Sequence, residues 1–87
     1  MIMVQRPHPF FEKATQREYT FNNGLKLSAV RGLCFEFDDL WELAVINPEG
    51  EFITQKVLKS DYEVMPYIKE KDMLKYLNMV NDYDLEL

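Results

Sequence analysis

Four carboxylates fall within one nine-residue stretch, FEFDDLWEL at residues 35–43: Glu36, Asp38, Asp39 and Glu42, set among Phe35, Phe37 and Trp41. Carboxylates that converge can hold a hard divalent cation through oxygen ligands, or share acid and base roles. A hydrolytic Mg²⁺ site would want two or three of them on one face, with a Lys or His to serve base or leaving group. Side chains alternate along a strand, so Glu36 and Asp38 share a face while Asp39 belongs to a turn. The nearest basic residues in sequence are Arg31 and Lys56, and a strand over 51–58 would bring Lys56 beside Trp41. No base joins the acids. The stretch therefore reads as a turn with a solvated acidic rim beside an aromatic, a surface to be bound.

The other reactive residue types give less. His8 is the single histidine, Cys34 the single cysteine, and Ser28 and Ser60 are the only serines. That excludes an intramolecular disulfide, a cysteine-based metal cluster, and a nucleophile with its base at recognisable spacing. Cys34 lies in an apolar alternating run and reads as a small core residue. Each of the three glycines is explained by a turn or bend, which leaves none for a loop that cradles phosphate. The expectation is a chain that is not an enzyme and holds no cofactor or metal.

Charge is unevenly spread. Residues 1–32 carry five Lys/Arg against two acids, and residues 33–87 carry five Lys against thirteen acids, for a net −5 overall. The acidic balance disfavours direct nucleic-acid binding, since attraction to phosphate supplies most non-specific affinity. It fits a protein partner with a basic surface, or mimicry of nucleic acid by spaced carboxylates. It also keeps a small protein in solution. No stretch approaches the roughly 18 apolar residues of a membrane span, and the first four residues are too few for a signal peptide. A cytoplasmic location is expected.

These residues need elements to position them. At 87 residues, 47% apolar and 14% aromatic, the chain suits one domain with a packed core. RPHPFF at 6–11 makes an extended arm over 1–16, because Pro7 and Pro9 push the residues before them out of helical backbone. Phe10 and Phe11 would anchor that arm to the core; the alternative is an exposed peg for a partner. Asn23-Gly24 between alternating apolar residues is a strong hairpin signal, joining strands at about 17–22 and 25–31. Gly32 marks a bulge or bend from which the chain continues into LCFEF. A two-residue loop at Asp38-Asp39 would set Phe35 opposite Glu42 and Cys34 against Leu43. Asn47-Pro48-Glu49-Gly50 then turns strand 40–46 into strand 51–58. Strand 40–46 is apolar on both sides and should be central.

After Ser60 the pattern changes. Ser60-x-x-Glu63 has the form of a capping box that starts a short turn stopped by Pro66. Met73, Leu74, Tyr76, Leu77 and Val80 share one face at a 3.6-residue period, which predicts an amphipathic helix over about 69–81. The acidic tail 82–87 is either a frayed end or an added edge strand. The fold class is α+β: a small antiparallel β-meander of about four strands, one C-terminal amphipathic helix on a face, and an extended N-terminal arm. Its units are 1–16, 17–58, 60–81 and 82–87.

The functional expectation is a small acidic protein-binding module that modulates or inhibits a larger macromolecular machine, one that itself handles nucleic acid. Small acidic proteins of this kind are often made by phages and mobile elements against host enzymes or defence systems. Asp38, Asp39, Trp41 and Glu42 at one sheet end, with Asp82, Asp84 and Glu86 in the tail, are the expected partner-binding residues, because aromatic anchors ringed by charge make interface hot spots. The alternative is a homo-oligomer in which the basic arm of one chain lies on the acidic surface of a neighbour.

Overall fold

In the computed structural model, residues 1–11, 13–32 and 39–85 are described. Turn chemistry sets the frame. Asn22, Asn23 and Gly24 close a hairpin in which Gly24 N–H donates to the Phe21 carbonyl and Phe21 N–H to Leu25. Only Gly24 is left-handed there, at φ +92°. The loop is thus three residues wide, not the two-residue Asn-Gly turn expected, and the glycine sits in the bulge position that tolerates positive φ. The second predicted turn forms as read: Gly50 N–H donates to the Asn47 carbonyl, and the Asn47 side chain accepts from the N–H groups of Glu49 and Glu51.

The strands are β1 (Ile2–Pro7), β2 (Thr15–Thr20), β3 (Lys26–Arg31), β4 (Trp41–Ile46) and β5 (Met65–Ile68). They form one antiparallel sheet in chain order, β1-β2-β3-β4-β5. The architecture is α+β, with five strands where about four were expected. The additional strand at the start comes from the segment read as an arm: Ile2–Pro7 pairs along its length with Thr15–Thr20. Both prolines fall outside the paired stretch or at its last residue, so nothing stops Ile2 to Arg6 from joining a ladder.

The expected strand 51–58 is mostly absent. Phe52 makes an isolated bridge to Ile46, after which helix α1 runs over Thr54–Leu58. Ile53 N–H donates to the Val45 carbonyl and Val45 N–H donates to Thr54 Oγ1, both at 2.8 Å. These bonds end the ladder and let the chain turn. Val57 and Leu58 are both buried, and neighbouring residues of a strand could not enter the same core. Lys56 lies exposed on this helix, away from the strand pairing that would have set it by Trp41.

The capping-box reading of Ser60 is also revised: its hydroxyl accepts from Tyr62 N–H two residues on, and the segment enters β5 rather than a helix. Pro66 sits within that strand, which is tolerable because β5 is an edge. A register shift between Trp41 and Leu43 accommodates the extra residue, with Tyr67 at φ +65°. The predicted C-terminal helix begins as a 3-10 turn, Glu70–Asp72, and continues as α2, Met73–Asn81. Met73, Leu77 and Val80 are buried and Tyr76 and Met79 pack beside them, while Leu74, expected on the same face, points outward at 65% exposure. The tail adds no strand up to Leu85.

Cross-strand register places Tyr19, Leu27 and Val45 in one row and Arg17, Ala29 and Leu43 in the next, all on one face. Val57 and Leu58 of α1 and the buried side of α2 join these residues in the core, so both helices cover that face. The other face carries Glu18, Ser28 and Ala44, then Thr20, Lys26 and Ile46. Strand β4 is interior, with its edges taken by β3 and β5. The expected pairing of 33–37 with 40–43 involves residues outside those described; Leu43 is paired with Ala29 and Met65. Cys34 likewise lies outside them.

Candidate functional site

Of the residues expected to bind a partner, Asp38 and Glu86 lie outside the described residues. Asp39 is exposed just before β4. Trp41 and Glu42 are neighbours in β4 and so face opposite ways: Trp41 enters the core and is 0% exposed, while Glu42 is half-buried on the face away from the helices, opposite Val30. Asp82 and Asp84 are exposed beyond α2. They stand near the 22–24 and 47–50 turns, because Asn23 Nδ2 donates to the Val80 and Tyr83 carbonyls and Gly24 lies against Pro48. Asp39 is at the far end of β4, about 20 Å away at roughly 3.4 Å per residue. The structure therefore separates the two acidic groups and removes the aromatic from the first. Trp41 is not available as an anchor, since it sits in the row that faces the helices.

What surrounds Trp41 is cationic. The Arg17 guanidinium lies 4.4 Å from the ring centroid and that of Arg31 4.7 Å. Arg17 makes a two-pronged ion pair with Glu70, with both contacts at 2.8 Å, and its Nε donates to Gln5 Oε1 at 2.8 Å. The hydrogen bond from Arg17 holds the Glu70 carboxyl below its ordinary range, and the same bond raises Arg17 above its own against the opposing pull of burial. This group ties the turn before α2 to the sheet across the indole. The indole Nε1–H is buried with no acceptor among the described residues. Arg17 and Glu70 are engaged with each other and Arg17 also lies over the ring, the arrangement of a clamp.

Two surface features remain. An open groove of about 610 Å³ is lined by residues including Lys59, Tyr62, Val64, Pro66 and Tyr67. Lys59 and Tyr67 are the only non-glycine residues with positive φ among those described. The second feature is the β1–β2 loop. His8 N–H donates to the Ala14 carbonyl, Ala14 N–H to Phe11, and Phe10 N–H to His8 Nδ1 at 3.1 Å. The His8 ring lies 5.0 Å from that of Phe11 and 6.0 Å from that of Phe10. Gly32 seals the base of this loop: it is left-handed, and a Cβ there would meet the Lys13 carbonyl oxygen at 2.8 Å. Phe10 is 85% exposed and Phe11 55%. They do not anchor to the core; they form an outward-facing aromatic knob beside the His8 ring. Its alternative reading as a peg was legible in RPHPFF, but nothing in the sequence showed that the loop would be fixed by its own hydrogen bonds.

Among the described residues no three His, Cys, Asp or Glu side chains converge as metal ligands would. No described helix is long and apolar enough to cross a membrane. No protein-family model, curated protein or solved structure matches the chain.

Proposed function

We propose that this chain is a small non-enzymatic protein-binding module that modulates or inhibits a larger, basic partner, as an inhibitor from a phage or mobile element would. The observation that carries this reading is the aromatic knob. Phe10 and Phe11 are large apolar side chains in water, on a loop tied by the bonds from His8 N–H to Ala14 and from Ala14 N–H to Phe11. Burying such a side chain contributes about 1.5–3 kcal/mol. Residues already held by such bonds lose less entropy on binding than free ones. The net charge of −5, with Asp39, Asp82 and Asp84 exposed, supports association with a basic surface, the knob supplying contact area and the acids steering.

The test is affinity capture from the native host lysate with three baits: the natural chain, Phe10→Ala/Phe11→Ala, and Asp82→Lys/Asp84→Lys. The reading expects one retained protein that the alanine variant loses and that the lysine variant holds less well at low salt only. Equal retention by the natural chain and the alanine variant refutes the knob as the binding element.

The homo-oligomer reading changes form. Ile2–Pro7 is hydrogen-bonded into its own sheet and is not a free arm for a neighbouring chain. One specific observation still favours self-association, the open outer edge of β1.

A further inference from the structure

The two edges of the sheet are unlike. β5 is four residues long, carries Pro66, and is kinked by a register shift with Tyr67 at φ +65°. Short strands, prolines and bulges are how proteins keep an edge from pairing with another chain. β1 has none of these over Ile2–Arg6. It is six residues long, its proline is its last residue, and Ile2 through Gln5 bear no charge. Ile2 is 69% exposed and Val4 50%. A long, apolar, unguarded edge is a template for strand addition.

The hydrogen bonds fix which groups are offered. His8 N–H donates across the ladder to the carbonyl of Ala14, the residue directly opposite, so every second residue back along β1 (Arg6, Val4 and Ile2) directs its N–H and C=O toward β2. Met3, Gln5 and Pro7 direct theirs outward. Pro7 has no N–H to give, so Met3 and Gln5 hold the usable outward donors within the strand. An antiparallel pair related by a two-fold axis satisfies them all when Met3 of one copy meets Gln5 of the other. Val4 then lies on the axis against Val4, and Ile2 lies against Arg6.

From this geometry we infer that the outer edge of β1 binds a second copy of this chain, joining the sheets antiparallel about a two-fold axis at Val4. The inference deepens the homo-oligomer reading and is independent of capture through Phe10. Three observations favour a second copy over a foreign strand. The edge is self-complementary, each outward donor meeting an acceptor of the same row. Copies with a net charge of −5 repel, and this uncharged stretch is where they can touch; Arg6 meets an isoleucine while keeping its ion pair with Glu18 at 3.3 Å. The guarded β5 edge prevents growth beyond two, so the assembly closes.

A six-residue edge buries less than the roughly 800 Å² per partner of a standard interface, so the dimer is a weak one that forms at high protein concentration. Sedimentation equilibrium of the full chain from about 1 to 500 µM should show its 10.4 kDa mass doubling across that range. Met3→Pro removes an outward donor without touching a bond to β2, and Ile2→Lys adds an edge charge. Each should remain monomeric throughout with an unchanged circular dichroism spectrum. In a Cys34→Ser background, Val4→Cys should oxidise to a covalent dimer and Thr20→Cys, exposed on the same face away from the axis, should not. A natural chain that stays monomeric overturns the inference, as does a dimer that survives both edge variants, or one lost only with Phe10→Ala/Phe11→Ala. A monomer that captures another protein through its intact edge, and loses it with Met3→Pro, assigns the edge to a foreign strand and also overturns it. A dimer with no captured partner leaves this inference standing and refutes the binding-module reading.

Discussion

Asn23 joins the hairpin to the end of the helix, and its replacement measures that junction. Its Nδ2 donates to the Val80 carbonyl at 2.8 Å and the Tyr83 carbonyl at 3.1 Å, while Oδ1 accepts from Leu25 N–H at 3.1 Å. The last carbonyls of a helix have no partner within it, so this side chain caps α2 from another element. Asn23→Ala removes these three bonds and a longer one from Nδ2 to the Asn81 carbonyl at 3.5 Å; with the three short ones worth about 1 kcal/mol net each, the loss is about 2–3 kcal/mol. In a domain of this size that lowers the melting temperature by about 10–20 °C. Asn23→Asp preserves shape and the bond from Leu25. It loses both donors and sets a negative charge against the negative end of the helix, adding a further 0.3–1 kcal/mol or so of repulsion. The near-isosteric aspartate should thus be about as harmful as alanine at neutral pH, and should recover in acid, where a protonated carboxyl donates again. Asn22, exposed in the same loop, should tolerate alanine within about 0.5 kcal/mol. Urea denaturation at pH 7 and pH 3, followed by circular dichroism, measures all three. An aspartate variant as stable as the natural chain at pH 7 would refute the cap.

Trp41→Ala should cost about 3–5 kcal/mol in denaturant titration, as loss of a buried aromatic does. Trp41→Phe should cost less, because it also removes a buried N–H that has no acceptor among the described residues; acrylamide quenching of Trp41 as strong as that of free indole would refute the buried placement. Glu70→Gln should destabilise by under about 1 kcal/mol at pH 7, since the ion pair is partly exposed. Arg17 lowers the Glu70 carboxyl below its unfolded value, so the benefit is present above the unfolded value and is lost as pH falls through the lowered one. The two proteins should converge in acid, and a gap that widened there would contradict this sign.

How much of this was legible depends on what each signal reports. Asn47-Pro48-Glu49-Gly50 and the helix around Met73, Leu77 and Val80 were readable because turn chemistry and helical period are local. Strand 51–58 was misread for the same reason. FITQKVL has strand-like composition, and the bond from Val45 to the Thr54 hydroxyl that ends the ladder is not written in spacing. The FEFDDLWEL acids were visible as types, but not where they would stand. One residue of alternation decides that Trp41 enters the core while Glu42 does not. The cations over the ring, Arg17 and Arg31, come from β2 and β3, across a register that no linear reading specifies.

The segment that sequence reasoning served least is Ile2–Pro7, and the reason bears on function. A strand announces itself when one face is buried, because burial imposes alternation. β1 is exposed on both faces in the single chain, so its residues obey no period and suggest an arm with no place in the sheet. The same lack of pattern follows if selection at this strand acts through an edge filled only after folding. Exposed apolar residues on a loop tip and on a bare edge lower solubility without adding to the core of one chain. The core already closes over β2 to β5 without them. Residues that burden the monomer in this way are most simply explained by what covers them, and the loop tip and the edge are distinct surfaces. If both are covered at once, the edge makes the dimer and the two Phe10/Phe11 knobs bind partners. Affinity for a partner with paired sites should then fall with Met3→Pro even though Phe10 is untouched, through lost avidity rather than a lost contact.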